Sequence, residues 1–191
     1  LKSRKNVLSG IINGIDYVMN DPATDKRIQV HFDADHLEGK AENKRLLQER
    51  LGLEQRDVPI IGMITRLADQ KGLDIRFEYL FRSMEERYRG RVSANIFFDE
   101  NLAQQIYAGS DMFLMPSLFE PCGLGQMFAL RYGTVPIVRK TGGLADTIFQ
   151  YSTETKEGNG FLFETYDGNG LIWALDQALA VYNQGKDKWQ H

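Results

Sequence analysis

Cysteine is nearly missing from this sequence: Cys122 stands alone among 191 residues. One thiol cannot close an internal disulfide, so the chain is not a disulfide-stapled scaffold, and a reducing compartment is expected. The usual thiolate zinc cluster is excluded with it. Basic excess is lacking too. Lys and Arg number 23 against 26 Asp and Glu, a formal net charge of -3, which leaves no broad positive footprint for a phosphodiester backbone. Nor does any apolar run approach the ~20 residues needed to cross a bilayer. Neither nucleic acid nor membrane is therefore an expected partner. The first residues, "LKSRKNVLSG", are neither an initiator Met nor a secretory signal, and the chain reads as a single domain taken from a longer protein.

What is present is a globular composition, 42% hydrophobic and 26% charged, arranged as apolar runs alternating with helical periods. "VPIIGMITR" (58–66) is a continuous β-branched run, the pattern of a strand buried on both faces of a parallel sheet. "RVSANIFF" (91–98) alternates as a strand does, "DMFLMP" (111–116) and "TVPIV" (134–138) are further buried strands, and "FLF" (161–163) is a short apolar run between glycines. A short strand before a long irregular connection is expected in 6–28. Helices are expected over 42–53, 77–88, 101–109, from the loop at 117–125 to Gly133, over "LADTIFQ", and from Leu171 to Gly185. Strand, loop and helix repeated in this order call for crossover connections, and hence an α/β, doubly wound, Rossmann-like parallel sheet with helices on both faces.

Ligands of such sheets bind beyond the carboxyl ends of the strands. Two loops there carry chemistry: "TRLADQKG" after the strand at 58–64, and "SLFEPCGLG" after the strand at 111–116. In the first, Arg66 offers a planar fork of donors and Lys71 a compact charge, together suited to a diphosphate, though the same pair also fits ordinary surface cations. In the second, Pro121 to Gly125 bring the start of an apolar helix to the same rim. Its unpaired amides favour an anion, and Cys122, Gly123, Leu124 and Gly125 present backbone more than side chain. Glu120 would repel that anion unless it faces something else. Sugar hydroxyls fit, because a carboxylate accepts two hydrogen bonds from neighbouring hydroxyls; a helix-dipole partner or N-terminal cap is the plainer reading. His31 and His36, with Asp33 and Asp35 between them, read as a solvated loop in preference to a metal site.

Taken in order, "INGID", "GKAENKRLLQERLGL", "ITRLADQKGLD" and "AQQIYAGSDMFLMPSLFEPCGLGQMFALRYGTVPIVRKTGGLADTI" resemble the C-terminal half of bacterial glycogen synthases and plant starch synthases, across nearly the whole chain. The resemblance implies the nucleotide-sugar-binding, C-terminal domain of a two-domain GT-B glycosyltransferase, spanning residues 1–191, with the N-terminal acceptor domain absent. It further implies retaining transfer of glucose from ADP-glucose to the non-reducing end of an α-1,4-glucan, with no cofactor and no metal, in the cytoplasm, or in the plastid if the parent is a plant protein. By that likeness Arg66 and Lys71 meet the donor phosphates, Glu120 the glucose hydroxyls, Cys122 to Gly125 the phosphate backbone, and Phe98 the adenine face. Departures stand beside these matches. Gly125 replaces a common threonine and Phe97 a common glycine, and "QKGLDI" runs straight into "RFEYLF" where the family has a further helix, strand and Gly-rich loop, so a segment is expected to be missing between Ile75 and Arg76. Two rival readings are a nucleotide- or glucan-binding module and another GT-B nucleotide-sugar enzyme. The isolated domain is expected to bind donor nucleotide with little or no turnover.

Overall fold

Apolar runs that end at turns and alternate with helices build a parallel sheet in the computed structural model, which describes residues 7, 9–66, 76–185 and 189. In chain order the elements are α1 (Glu38–Arg50), β1 (Ile61–Gly62), α2 (Arg76–Arg87), α3 (Glu100–Gly109), β2 (Met112–Met115), α4 (Gly125–Arg131), β3 (Val135–Arg139), α5 (Gly142–Thr147), β4 (Phe161–Phe163) and α6 (Gly168–Tyr182). The strands lie in the order β1-β2-β3-β4, every neighbouring pair parallel. Each step from strand to strand therefore needs a crossover, and helices supply it.

Alternation along β2 shows why both faces are covered. Met112 joins Ile137, Phe161 and Phe163 against Ala174, Ala178 and Val181 of α6, while the next residue, Phe113, faces the other way into Tyr107, Ala108, Ala129 and Tyr132 of the α3–α4 side. Burial of these rings and aliphatic groups, about 25 cal/mol per Å² of apolar surface, drives the assembly. Helix starts follow local signals: Asp99 accepts from the Leu102 amide at 3.0 Å to cap α3, and Asp167 accepts from Gly170 at 2.8 Å to cap α6.

α1 is fastened by side chains that the helical pattern alone does not reveal. Lys40 Nζ donates to Ala108 O (3.1 Å), Tyr132 O (2.9 Å) and Thr134 Oγ1 (2.8 Å), and Lys44 Nζ lies 2.8 Å from Asp111 Oδ2. Asp111 also accepts the Ile60 amide at 2.7 Å, seating the start of β1 against β2. The segment before α1 is held as well. Arg27 Nε and Tyr132 Oη both donate to Asp25, a residue only 6% exposed.

Two expected strands are not formed. Residues 92–98 carry no strand in spite of their alternation, and residues 9–28 are irregular. A strand exists by virtue of the ladder beside it, and among the described residues none runs beside 92–98. The run at 58–66 likewise pairs over only two residues, at the outer position of the sheet, with Ile61 42% exposed. The remaining helices and strands fall within a few residues of expectation. The junction of Ile75 and Arg76 lies outside the described residues.

Candidate functional site

Parallel pairing decides which loops meet. Ile61 is in register with Met112 and Gly62 with Phe113, so Arg66, four residues past Gly62, leaves the same rim as Ser117, four residues past Phe113. Neighbouring strands are about 4.8 Å apart, and the two expected loops therefore emerge side by side. Arg66 is exposed. Lys71 lies outside the described residues, so the expected pair of cations is described for one member.

The loop between β2 and α4 is seated on the start of α5. The Gly143 amide donates to Glu120 O at 3.0 Å and to Pro121 O at 3.2 Å. A Cβ on Gly142 would stand 2.1 Å from Glu120 O, and one on Gly143 would stand 2.0 Å from Cys122 O, distances no side chain can occupy. These glycines do more than turn the chain: they let two loops from adjacent strands touch backbone to backbone.

Glu120 is 5% exposed, and Ser117 Oγ donates to its Oε2 at 3.5 Å. Burying a carboxylate costs free energy unless polar groups surround it, and this acid sits inside its loop with a hydroxyl beside it. It is not the cap of α4. Leu124 occupies that position, with no side-chain hydrogen bond, so the first-turn amides of the helix receive no help from the capping residue's side chain. Gly123, at φ +70°, turns the chain there. Cys122 is a half-buried free thiol, and Leu124 is 41% exposed. Gly125 packs underneath, where a Cβ would approach Phe113 to 3.3 Å and the Tyr107 hydroxyl to 3.4 Å.

Three side chains outside the expected set hold this loop. Gln126 is wholly buried, and its Nε2 donates to Cys122 O (3.3 Å), Gly123 O (3.2 Å) and Thr147 Oγ1 (3.1 Å), tying the loop to α5. Thr147 in turn donates to Gly143 O at 2.6 Å. Arg139, at the carboxyl end of β3, donates from Nη1 to Leu118 O at 2.7 Å and Ser117 O at 3.5 Å, with its guanidinium 5.3 Å from the Tyr166 ring centre. It braces the backbone leading into Glu120. The argument that singled out Arg66, a cation at the carboxyl end of a strand, applies equally to Arg139. Gln126 gives no such signal, since its partners are three carbonyl or hydroxyl groups that only folding brings together.

Phe98 is 88% exposed just before the Asp99 cap of α3. His31 and His36 do not converge: His36 Nδ1 lies 2.9 Å from Asp33 Oδ1, while His31 Nε2 lies 3.1 Å from Asp25 O. Among the described residues no group of three His, Cys, Asp or Glu gathers as metal ligands, and no helix is long and apolar enough to cross a membrane. The rim thus offers a buried carboxylate, a helix start without a side-chain cap, and a guanidinium from the adjacent strand. Chemically it suits a molecule that carries both hydroxyls and anionic oxygens.

Comparison with known proteins gives the family. The family described as "Glycosyl transferases group 1" matches residues 86–187. Glycogen synthase from Kosmotoga olearia is 51% identical over 212 residues, covering 99% of this chain and 44% of the relative; that from Fervidobacterium nodosum is 51% identical over 210 residues, covering 98% and 43%. The chain spans less than half the length of these curated relatives. Among solved structures, the catalytic domain of starch synthase IV from Arabidopsis thaliana, bound to ADP and acarbose, superposes with a TM-score of 0.88 at 39% identity, over 95% of this chain and 43% of that one. Sucrose-phosphate synthase from Thermosynechococcus elongatus, at 22% identity and a TM-score of 0.54 over 75% of this chain and 40% of that one, shares the fold. The parallel α/β sheet, the loops at its carboxyl rim and these likenesses agree: the chain belongs to the glycosyl transferases group 1 family, as a homologue of glycogen synthases with the C-terminal GT-B architecture seen in starch synthase.

Proposed function

We propose that this chain is the donor-binding half of a retaining glucosyltransferase that moves glucose from ADP-glucose to the non-reducing end of an α-1,4-glucan. The observation that carries the reading is Glu120, a carboxylate buried at the sheet's carboxyl rim beside a helix start that lacks a side-chain cap. Its two oxygens would orient the hexose hydroxyls. The backbone from Cys122 to Gly125, with Arg66 and Lys71 from the neighbouring loop, would hold the diphosphate, and Phe98 would stack on adenine. The starch synthase relative was solved with ADP and acarbose, which supports a nucleotide and a glucan-like ligand for the same architecture.

In this mechanism, binding energy from the nucleotide fixes the glucose in place, and the cations stabilise negative charge as ADP departs. The acceptor hydroxyl attacks from the face the leaving group quits, and no nucleophile is needed from this chain. The acceptor groove belongs to a partner domain, so the chain alone binds donor and turns over little. A segment missing between Ile75 and Arg76 accords with matches that run over 212 residues against a chain of 191, and with an outermost strand of two residues.

Calorimetry tests the reading. ADP should bind, and Arg66→Ala should weaken it about tenfold or more, since a hydrogen bond to a charged group is worth ~1.5–3 kcal/mol. Glu120→Gln should leave ADP affinity intact and remove the added affinity of ADP-glucose. Binding of maltooligosaccharide without ADP would replace this reading with that of a glucan-binding module.

A further inference from the structure

A cavity of about 430 Å³ lies along β4, with β3 between it and the strand that leads into the 117–125 loop, lined among others by Lys140, Gln150, Leu162, Glu164, Thr165 and Trp173. Its volume falls in the ~300–1,000 Å³ range typical of small-molecule sites. β4 pairs with β3 on one side. On the other, its start is closed by the Tyr151 amide donating to Gly160 O at 2.8 Å and by Gln150 Oε1 accepting the Leu162 amide at 2.8 Å. Past that point the strand's flank opens into the cavity, and α6 supplies the far wall.

The wall is an indole. Trp173 is 54% exposed, although α6 is firmly seated through Ala174, Ala178 and Val181, so a flat apolar face is presented to solvent from a rigid element. The charges at the mouth cancel, because Lys140 Nζ donates to Glu164 Oε1 at 2.8 Å. With no net charge, the cavity discriminates for neither anion nor cation. A peptide strand is disfavoured as well, since β4 is three residues long and the Leu162 amide is already taken by Gln150. What fits is a neutral molecule with an apolar ring face for the indole and hydroxyls for the amide, carboxylate and Thr165 oxygen at the rim. A pyranose has both.

We propose that this cavity is a second carbohydrate site, sharing no lining residue with the 117–125 loop, where glucose units of an α-glucan lie across Trp173. The choice of α-glucan rests on the acceptor reading above. Held there, a polymer raises the local concentration of its own chain ends, an effect of linkage that needs no new contact at the reacting centre.

Affinity electrophoresis of the 191-residue chain through gels containing glycogen tests the site, with ADP calorimetry run in parallel. Glycogen should retard the chain. Trp173→Ala should weaken that retardation at least tenfold, Trp173→Tyr should keep part of it, and Ile172→Ala, a neighbour equally open to solvent at 57%, should leave it unchanged. Every variant should keep its circular dichroism and its ADP affinity. The proposal falls if glycogen does not retard the chain, if Trp173→Ala migrates as the parent does, or if Ile172→Ala weakens retardation as much as Trp173→Ala. Failure of the donor reading is a different result: ADP does not bind while glycogen retardation persists.

Discussion

A methyl group on Gly143 would meet the Cys122 carbonyl oxygen at 2.0 Å, so Gly143→Ala forces the β2–α4 loop off the start of α5. The expected cost is about 2–4 kcal/mol, the scale of overpacking against an unyielding backbone, with loss of ADP affinity because the displaced loop carries the Cys122–Gly125 backbone proposed above to hold the diphosphate. Urea unfolding and calorimetry on the same preparation read both effects. At this scale the loop's geometry was half legible. The turn at Gly123 before an apolar helix can be read from the residues, whereas the burial of Glu120 cannot. Nor can the roles of Gln126 and Arg139, because what they do is decided by partners that lie up to 21 and 22 residues away in the chain.

Among the elements, α1 and the segment before it show how polar side chains fix what apolar stripes only approximate. Lys40→Met keeps the aliphatic stem but leaves the Ala108 and Tyr132 carbonyls and the Thr134 hydroxyl short of a donor. A loss of about 1–3 kcal/mol is expected, the cost of leaving a buried acceptor unpaired, read as a lower urea midpoint. Asp25 gives a pH-dependent counterpart. Burial opposes its ionisation, yet the Arg27 guanidinium and the Tyr132 hydroxyl outweigh it and hold the carboxyl below its ordinary 3.8. A folded-state pKa below the unfolded value means the contribution is complete above pH 3.8 and fades as pH falls through the lower folded value. Asp25→Asn should therefore be less stable than the parent at pH 7, by about 1–3 kcal/mol, and the difference should narrow below pH 3.8. Denaturation midpoints at pH 7 and pH 3 check the sign. The failed strand at 92–98 is the reverse lesson: alternation was present in the sequence, but a ladder needs a neighbour that local pattern cannot supply.

For the molecule as a whole, fold class was legible because short apolar runs and helical periods alternate along the chain. The extent of the sheet was not. β1, with Ile61 42% exposed, behaves as an interior strand in composition and as an outermost strand in place. Inserting the corresponding segment of a glycogen synthase between Ile75 and Arg76 should raise the melting temperature and protect the amides of Ile61 and Gly62 from hydrogen exchange. If those amides exchange as fast after insertion as before, the sheet is complete as it stands. The joined loops have a last consequence. Gly143 shares one proton between the oxygens of Glu120 and Pro121, so its amide resonance is a built-in gauge: a guest that shifts the β2 loop must move that signal, even if it never comes near α5.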